Sequence, residues 1–317
     1  LDKSKKILIY GAGVIGSLYA ARFALSGQSV TMLARNKRLE ELKSKGLLIK
    51  KNSEQTIEKA AIHLITELAK DDFYDFIFVT LHKNQVKDIL PSLKENTSTN
   101  VVFMVNTSDG YDEWISALGK EKIILAFPGA GGKLEDGIVQ YSITPKMVQA
   151  TTFGENNGTI TARIKELESI LKNAGFSTDI CKNMDAWQKT HVAMFCTLVN
   201  VIHYNKGESN YSVAKNADAI KQLNLALKEN FRFIKKSGIG IVPSNLTFLL
   251  YAPLGLLNFI MKHAYNTKWA ETNFYTPAIT TPKEFELLSS DFIKLAESKG
   301  FDLKEFKKLT YKNSQAN

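Results

Sequence analysis

The sequence is short of the residues that build a site or a scaffold without a large fold. Only two cysteines occur among 317 residues, Cys181 and Cys196. Their spacing fits neither a disulfide framework nor a metal knuckle, which argues against a small secreted scaffold and for a reducing compartment. The five histidines, at 63, 82, 191, 203 and 263, form no H-E-x-x-H or other ligand pattern, so no metal site is expected. Long apolar runs are missing too. The most apolar late stretch, residues 246–261, contains Pro253 and is too short to span a bilayer. It reads as a core or interface helix, with no membrane partner, and suggests a dimer surface. The chain enters a strand almost at once, leaving no room for a signal peptide, and a cytoplasmic location is expected. Repeats and low-complexity segments are absent. Charge of one sign is lacking as well: net charge is +9, but 41 Lys and Arg are interleaved with 32 Asp and Glu. Without a basic block, a nucleic-acid partner is not expected. What remains is a globular composition, 44% hydrophobic and 23% charged, in a chain long enough for two domains.

The most informative stretch is the first 35 residues, which read as strand, glycine turn, helix, strand. Residues 5–10 (KKILIY) are a short apolar run of the buried parallel kind. Gly11, Ala12, Gly13, Val14, Ile15 and Gly16 follow at once and fit G-x-G-x-x-G. A helical stretch, stopped by Gly27, leads to a second strand over residues 29–34. In such a unit the first glycine makes the tight turn. The second lets the backbone approach a pyrophosphate, and the third lets helix and strand pack closely. Unpaired N–H groups and the helix dipole favour the anion there. A bare glycine pattern is weak, but its place between strand and helix makes it specific for a dinucleotide.

The end of the second strand indicates which dinucleotide. Roughly 20 residues past the glycines an NAD enzyme carries Asp or Glu for the ribose hydroxyls. Here stands Arg35, followed by Asn36, Lys37 and Arg38. A carboxylate would repel a 2′-phosphate, whereas a guanidinium can grip it with paired, charge-assisted hydrogen bonds. NADP(H) is the expected cofactor.

Further along, residues 37–45 read as a helix ended by Gly46, and residues 47–50 and 56–64 as strands of an insertion. Residues 75–81, 101–105, 123–127 and 176–180 read as strands, with helices over 84–93 (Asn84 as N-cap) and 159–173. Beyond about residue 181 the pattern is helical throughout. The expected architecture is α/β: a Rossmann domain over 1–180, then a helical domain over 181–317. Ligands of open parallel sheets bind outside the carboxyl ends of the strands. His82, Lys83, Asn106 and the glycine-rich segment 128–132, with Ala130 at its centre, therefore fall near the crevice. The N–H groups of that segment could meet cofactor or an oxyanion, or it could be a plain connector.

Residues 185–204 (DAWQKTHVAMFCTLVNVIHY) predict a long, mostly buried helix. Trp187, His191, Phe195, Leu198 and Ile202 share one face, and Lys189, Ala193, Thr197, Asn200 and Tyr204 another. Burying an unpaired ammonium is costly, so Lys189 calls for an anionic or carbonyl partner. Lys189 and His191 lie about 200° apart around the helix and cannot face one cleft together. Lys189 is the residue expected to face such a partner in the cleft, and His191 a core position.

These pieces resemble the ketopantoate reductase (2-dehydropantoate 2-reductase) family. The match lies in KILIYGAGVIGSLYAARFALSGQSVTMLAR, the T-x-x-x-x-Q of VTLHKNQV, the strand and asparagine of VVFMVN, the DG of KLEDGIVQY, and W-x-K at Trp187 to Lys189. It covers roughly the first 200 residues. The resemblance implies a Rossmann domain followed by a helical domain of the 6-phosphogluconate-dehydrogenase-like kind, with the active site in the cleft. It implies NADPH reducing a 2-keto acid, as in ketopantoate to pantoate in pantothenate and coenzyme A biosynthesis. Gly11 to Gly16 match its pyrophosphate turn, Arg35 its 2′-phosphate ligand, Asn106 an asparagine near the nicotinamide, and Lys189 its catalytic lysine. The family's lysine after the fourth strand falls on His82, with Lys83 next. Its two substrate asparagines fall on Ala193 and Thr197, and Thr197 and Asn200 are expected to shape the pocket. No match to its late serine and acidic pair is found, although Glu271, Glu284 and Glu286 lie in that region. The alternatives are a paralogue reducing another carbonyl or an imine, and a non-catalytic NADP(H) sensor.

Overall fold

The structure, a computed structural model, describes residues 4–310. The chain divides into two units. The first comprises residues up to Val105 with Tyr111–Met184, and the second Asn106–Gly110 with residues from Asp185 onward.

The first unit opens with β1 (Lys6–Tyr10), α1 (Val14–Leu25), β2 (Ser29–Leu33) and α2 (Asn36–Lys45). Then come β3 (Leu47–Lys51), β4 (Ile57–Ala60), β5 (His63–Ile65), β6 (Phe76–Val79) and α3 (Lys83–Glu95). β7 (Val101–Met104), α4 (Asp112–Leu118), β8 (Ile123–Phe127), β9 (Ala130–Glu135) and β10 (Ile138–Ile143) follow. The unit closes with α5 (Lys146–Gln149), β11 (Thr151–Glu155), α6 (Ala162–Asn173) and β12 (Thr178–Ile180). Eight strands make the main sheet, in the order β12-β11-β8-β7-β6-β1-β2-β5. β1 pairs in parallel with β2 and β6. Its apolar run is buried on both faces, as is that of β6, which is why neither shows polar alternation.

A smaller sheet, β4-β3-β10-β9, covers the other side of α1. That explains the composition of α1, VIGSLYAARFAL: a helix packed on two sides must be apolar nearly all round. Tyr19 stacks on Phe176 at 4.1 Å between centroids, and Phe23 meets Phe78 at 5.0 Å. The β9–β10 hairpin turns at Asp136 and Gly137, both with positive φ, as the two-residue hairpin turn demands.

Three expectations are corrected here. Residues 56–64 are not one strand: β4 joins the small sheet, whereas β5 pairs with β2 in the main one. Alternation along a strand says nothing about which sheet receives it. The segment at 130–132 is the start of β9, paired antiparallel with β10. The N-cap of α3 is His82, not Asn84, because Gln85 accepts from the His82 N–H at 3.1 Å and closes the turn one residue pair earlier.

The second unit is helical. Its members are α7 (Met184–Tyr204), α8 (Asn210–Lys215), α9 (Ala217–Lys236), α10 (Phe248–Tyr251) and α11 (Leu254–Tyr265). α12 (Lys268–Ala270), α13 (Thr276–Thr280), α14 (Pro282–Ser298) and α15 (Lys304–Leu309) complete it. α7 runs through the core, touching α9 by Thr197 and Asn230 and α14 by Phe195 and Phe285, 5.7 Å apart. Phe233, Phe292 and Phe306 extend that core outward through edge-on ring contacts. Residues 246–261 do not form one helix: the path bends by 115° between α10 and α11, at Ala252 and Pro253. The proline ring fits the first turn of a new helix and cannot continue the old one.

Candidate functional site

At the glycine turn, backbone geometry dictates residue type. Gly11 has φ +122°, a region other residues rarely adopt, and a Cβ there would stand 2.9 Å from the Thr80 carbonyl. A Cβ on Gly16 would lie 2.0 Å from the Gly11 carbonyl oxygen and 2.5 Å from Thr80 Oγ1, so α1 can approach β1 and β6 only with glycine at that point. Gly13 differs: nothing lies within 4 Å of the position its Cβ would take. It is the N-cap of α1, without a side-chain cap and with no acidic residue in the first turn. The open backbone and unopposed helix terminus fit a pyrophosphate. Thr80 braces the turn by donating to the Gly11 carbonyl at 3.1 Å.

Arg35 is exposed at the N-cap of α2, just past the end of β2, with its Nε–H donating to the Thr66 carbonyl at 3.4 Å. No carboxylate occurs between positions 33 and 38, so this surface fits a 2′-phosphate better than bare ribose hydroxyls. Arg38 is the residue that sequence reasoning missed. It folds onto the glycine turn, donating to the Ala12 carbonyl at 3.3 Å and to Ser17 Oγ at 3.2 Å, while pairing with Glu41. Its position one helical turn beyond Arg35 was the available signal.

The glycine-rich segment behaves otherwise than expected. An extended strand sends successive N–H groups to opposite sides, so residues 130–132 cannot converge on one oxyanion. The Gly129 N–H is already taken, donating to Tyr19 Oη at 3.2 Å and Thr151 Oγ1 at 3.1 Å. Burial raises the Tyr19 phenol far above its usual range and keeps it neutral in that buried cluster. Ala130 pairs across the hairpin with Ile143. His82 caps α3, and Lys83 is its first residue.

In the second unit Lys189 has an anionic partner from its own helix. Its Nζ donates to both carboxylate oxygens of Asp185 at 2.5 Å, and its side chain is only 13% exposed. One turn of α7 thus holds a nearly buried ammonium in one rotamer. The other face is a ring stack: His191 lies between Trp187 and Phe195, with 5.2 Å between centroids on each side. Burial lowers the His191 pKa to about 3 and leaves a neutral imidazole at ordinary pH.

The loop Asn106–Gly110 is pinned against α7: the Thr107 N–H donates to Gln188 Oε1 at 3.2 Å, next in sequence to Lys189. The Asn106 amide donates to Glu284 Oε1 on α14 at 3.3 Å. The two residues stand 178 positions apart in the chain, so no local pattern could have joined them. Glu271, the rival carboxylate, instead accepts from Tyr211 Oη at 3.3 Å. Asn200 is buried and donates to Ser289 Oγ at 2.9 Å. Thr197 is fully buried as well, donating to the Ala193 carbonyl at 2.6 Å and accepting from the Asn230 amide at 3.0 Å. Burial pushes the nearby Cys196 thiol up to about 12, which makes it inert packing. Among the described residues, no group of three or more His, Cys, Asp or Glu could hold a metal ion.

Residues 7–158 match the ketopantoate reductase PanE/ApbA family. A 2-dehydropantoate 2-reductase of Pyrococcus horikoshii is 26% identical over 243 residues, spanning 72% of this chain and 75% of that protein. Another, of Archaeoglobus fulgidus, is 28% identical over 191 residues, spanning 59% and 60%. Among solved structures, 2-dehydropantoate 2-reductase of Porphyromonas gingivalis aligns with a TM-score of 0.72 at 16% identity, over 98% of this chain and 99% of that one. D-mandelate dehydrogenase with NADH and anilino(oxo)acetate aligns with a TM-score of 0.77 at 16% identity, over 98% and 97%. At such identities the superpositions speak to the α/β fold with its helical second part.

Proposed function

We propose, from the match of residues 7–158 to the ketopantoate reductase family and the 26–28% identity to two 2-dehydropantoate 2-reductases, that the chain is a divergent member of that family and an NADPH-dependent reductase of a small 2-keto acid. The observation that carries the reading is the glycine turn, closed to side chains at Gly11 and Gly16 and open at Gly13. Gly11 to Gly16 would hold the pyrophosphate, and Arg35 the 2′-phosphate, with paired donors that a ribose hydroxyl cannot use as well. When bound, the reduced nicotinamide supplies a hydride to the carbonyl carbon of the acid.

Lys189 polarises the carbonyl oxygen and gives it a proton, the work of a general acid. Asp185 keeps the ammonium in place between turnovers, since two carboxylate oxygens fix its direction. Asn106 orients the nicotinamide or the reacting oxygen, and its bond to Glu284 sets the side chain's angle. A substrate other than ketopantoate is favoured by what stands at the family's substrate asparagines. Ala193 has no polar group, and the Thr197 hydroxyl is occupied by Asn230 and its own helix.

NADPH oxidation measured against a panel of 2-keto acids tests the reading. Turnover on at least one acid, faster with NADPH than NADH, is the expected result. Tight NADPH binding without turnover on any of them would leave the sensor in its place.

A further inference from the structure

α11 breaks the usual rule for a surface helix. Only Leu257 and Tyr265 are buried along it, yet its outward side is apolar: Leu256 is 44% exposed, Phe259 62% and Ile260 37%. On the other arm of the bend, Phe248 is 49% and Tyr251 64% exposed. At i, i+3 and i+4 spacing Leu256, Phe259 and Ile260 share one exposed apolar face of α11, the kind of face that marks an interaction surface.

The charge around it says what kind. Between Glu229 and Glu271 the chain contains no Asp or Glu, while Lys235 lies over the Tyr251 ring at 4.8 Å and Lys262 and Lys268 are exposed on and just past α11. Among the described residues, the hydrogen bonds from neighbouring elements to the two arms involve no carboxylate either. Lys228 donates to the Leu250 carbonyl, Lys235 to Tyr251 Oη, Asn224 to Asn258 and Asn210 to the Tyr265 carbonyl. A second copy seated face to face would bring no carboxylate from this segment to these lysines, because a two-fold contact pairs the face with itself. An anionic lipid surface complements both features. It accepts aromatic and aliphatic side chains at the acyl boundary and lysines at the headgroups. No single helix among the described residues is long and apolar enough to cross a membrane, so the elbow would lie in the interface, contrary to the expectation of no membrane partner.

We propose that the α10–α11 elbow docks the protein onto an anionic lipid bilayer. Trp269, one turn past α11, provides a built-in reporter: it is 47% exposed, whereas Trp114 and Trp187 are 4% and 5% exposed. The full chain is mixed with vesicles of phosphatidylcholine alone or with phosphatidylglycerol added, and co-sedimentation and tryptophan emission are followed. Binding to the anionic vesicles with a blue shift, weakened by salt, is expected. Lys262→Ala with Lys268→Ala should weaken it about thirtyfold, the effect of two basic groups at a negative leaflet. Phe259→Ser with Ile260→Ser should abolish it, with NADPH binding and the thermal midpoint kept as controls of folding. Failure of the wild type to bind anionic vesicles at low salt, or equal binding to phosphatidylcholine alone, overturns the proposal. So does a dimer in sedimentation equilibrium that the Phe259 and Ile260 changes dissociate, which would give the face to a second copy.

Discussion

Lys189 sits one helical turn from Asp185, close to both carboxylate oxygens. Truncating it removes the proposed proton donor and leaves the glycine turn untouched. Lys189→Ala should lower turnover by about 10²–10⁴-fold, the usual worth of a positioned general acid, with NADPH affinity unchanged by titration. Near wild-type turnover would take Lys189 out of the mechanism. His191 makes a different kind of prediction. Its pKa is near 3 in the folded chain against 6.5 ordinarily. Between those values the unfolded chain binds a proton that the native one does not, so stability falls as pH drops from 6.5 towards 3. His191→Phe keeps a ring in the stack with Trp187 and Phe195 and should flatten that acid slope in denaturant titrations. An unchanged slope would mean that other groups set it.

The elements differ in how plainly the sequence announces them. β1, the glycine turn, α1 and β2 could be read directly because each depends on neighbours within a few residues: a buried run, three glycines and a Gly27 stop. α7 was legible by period alone, and its Trp187, His191 and Phe195 stack lies on the face that spacing assigns. β9 was not legible, since a Gly-Ala-Gly-Gly run looks like a loop until β10 supplies a partner. The same holds for Glu284, placed beside Asn106 only by the packing of α14, and for Arg38, whose role depends on how α2 lies over the turn. Gly129 tests the junction that β8, β9 and β11 share. A Cβ there would be 2.2 Å from the Thr151 nitrogen and 2.4 Å from the Ala150 carbonyl carbon, both backbone atoms that cannot turn aside. Gly129→Ala should therefore cost roughly 1–3 kcal/mol, the range for an overpacked core, read as a lowered thermal midpoint. An unshifted midpoint would show that the strands can part there without penalty.

At the scale of the whole molecule, the proposed dinucleotide contacts fall in the first unit and the proposed proton donor, Lys189, in the second. The net charge of +9 favours phosphorylated and carboxylated ligands in general and does not distinguish among them. The distinction falls to Arg35, and Arg35→Ala should narrow the preference for NADPH over NADH by roughly 10–100-fold, the worth of a charge-assisted contact. The most direct test is calorimetric titration of the intact protein with NADPH and with NADH. Tighter uptake of NADPH is the predicted result; a preference for NADH, or heat from neither, would contradict the account.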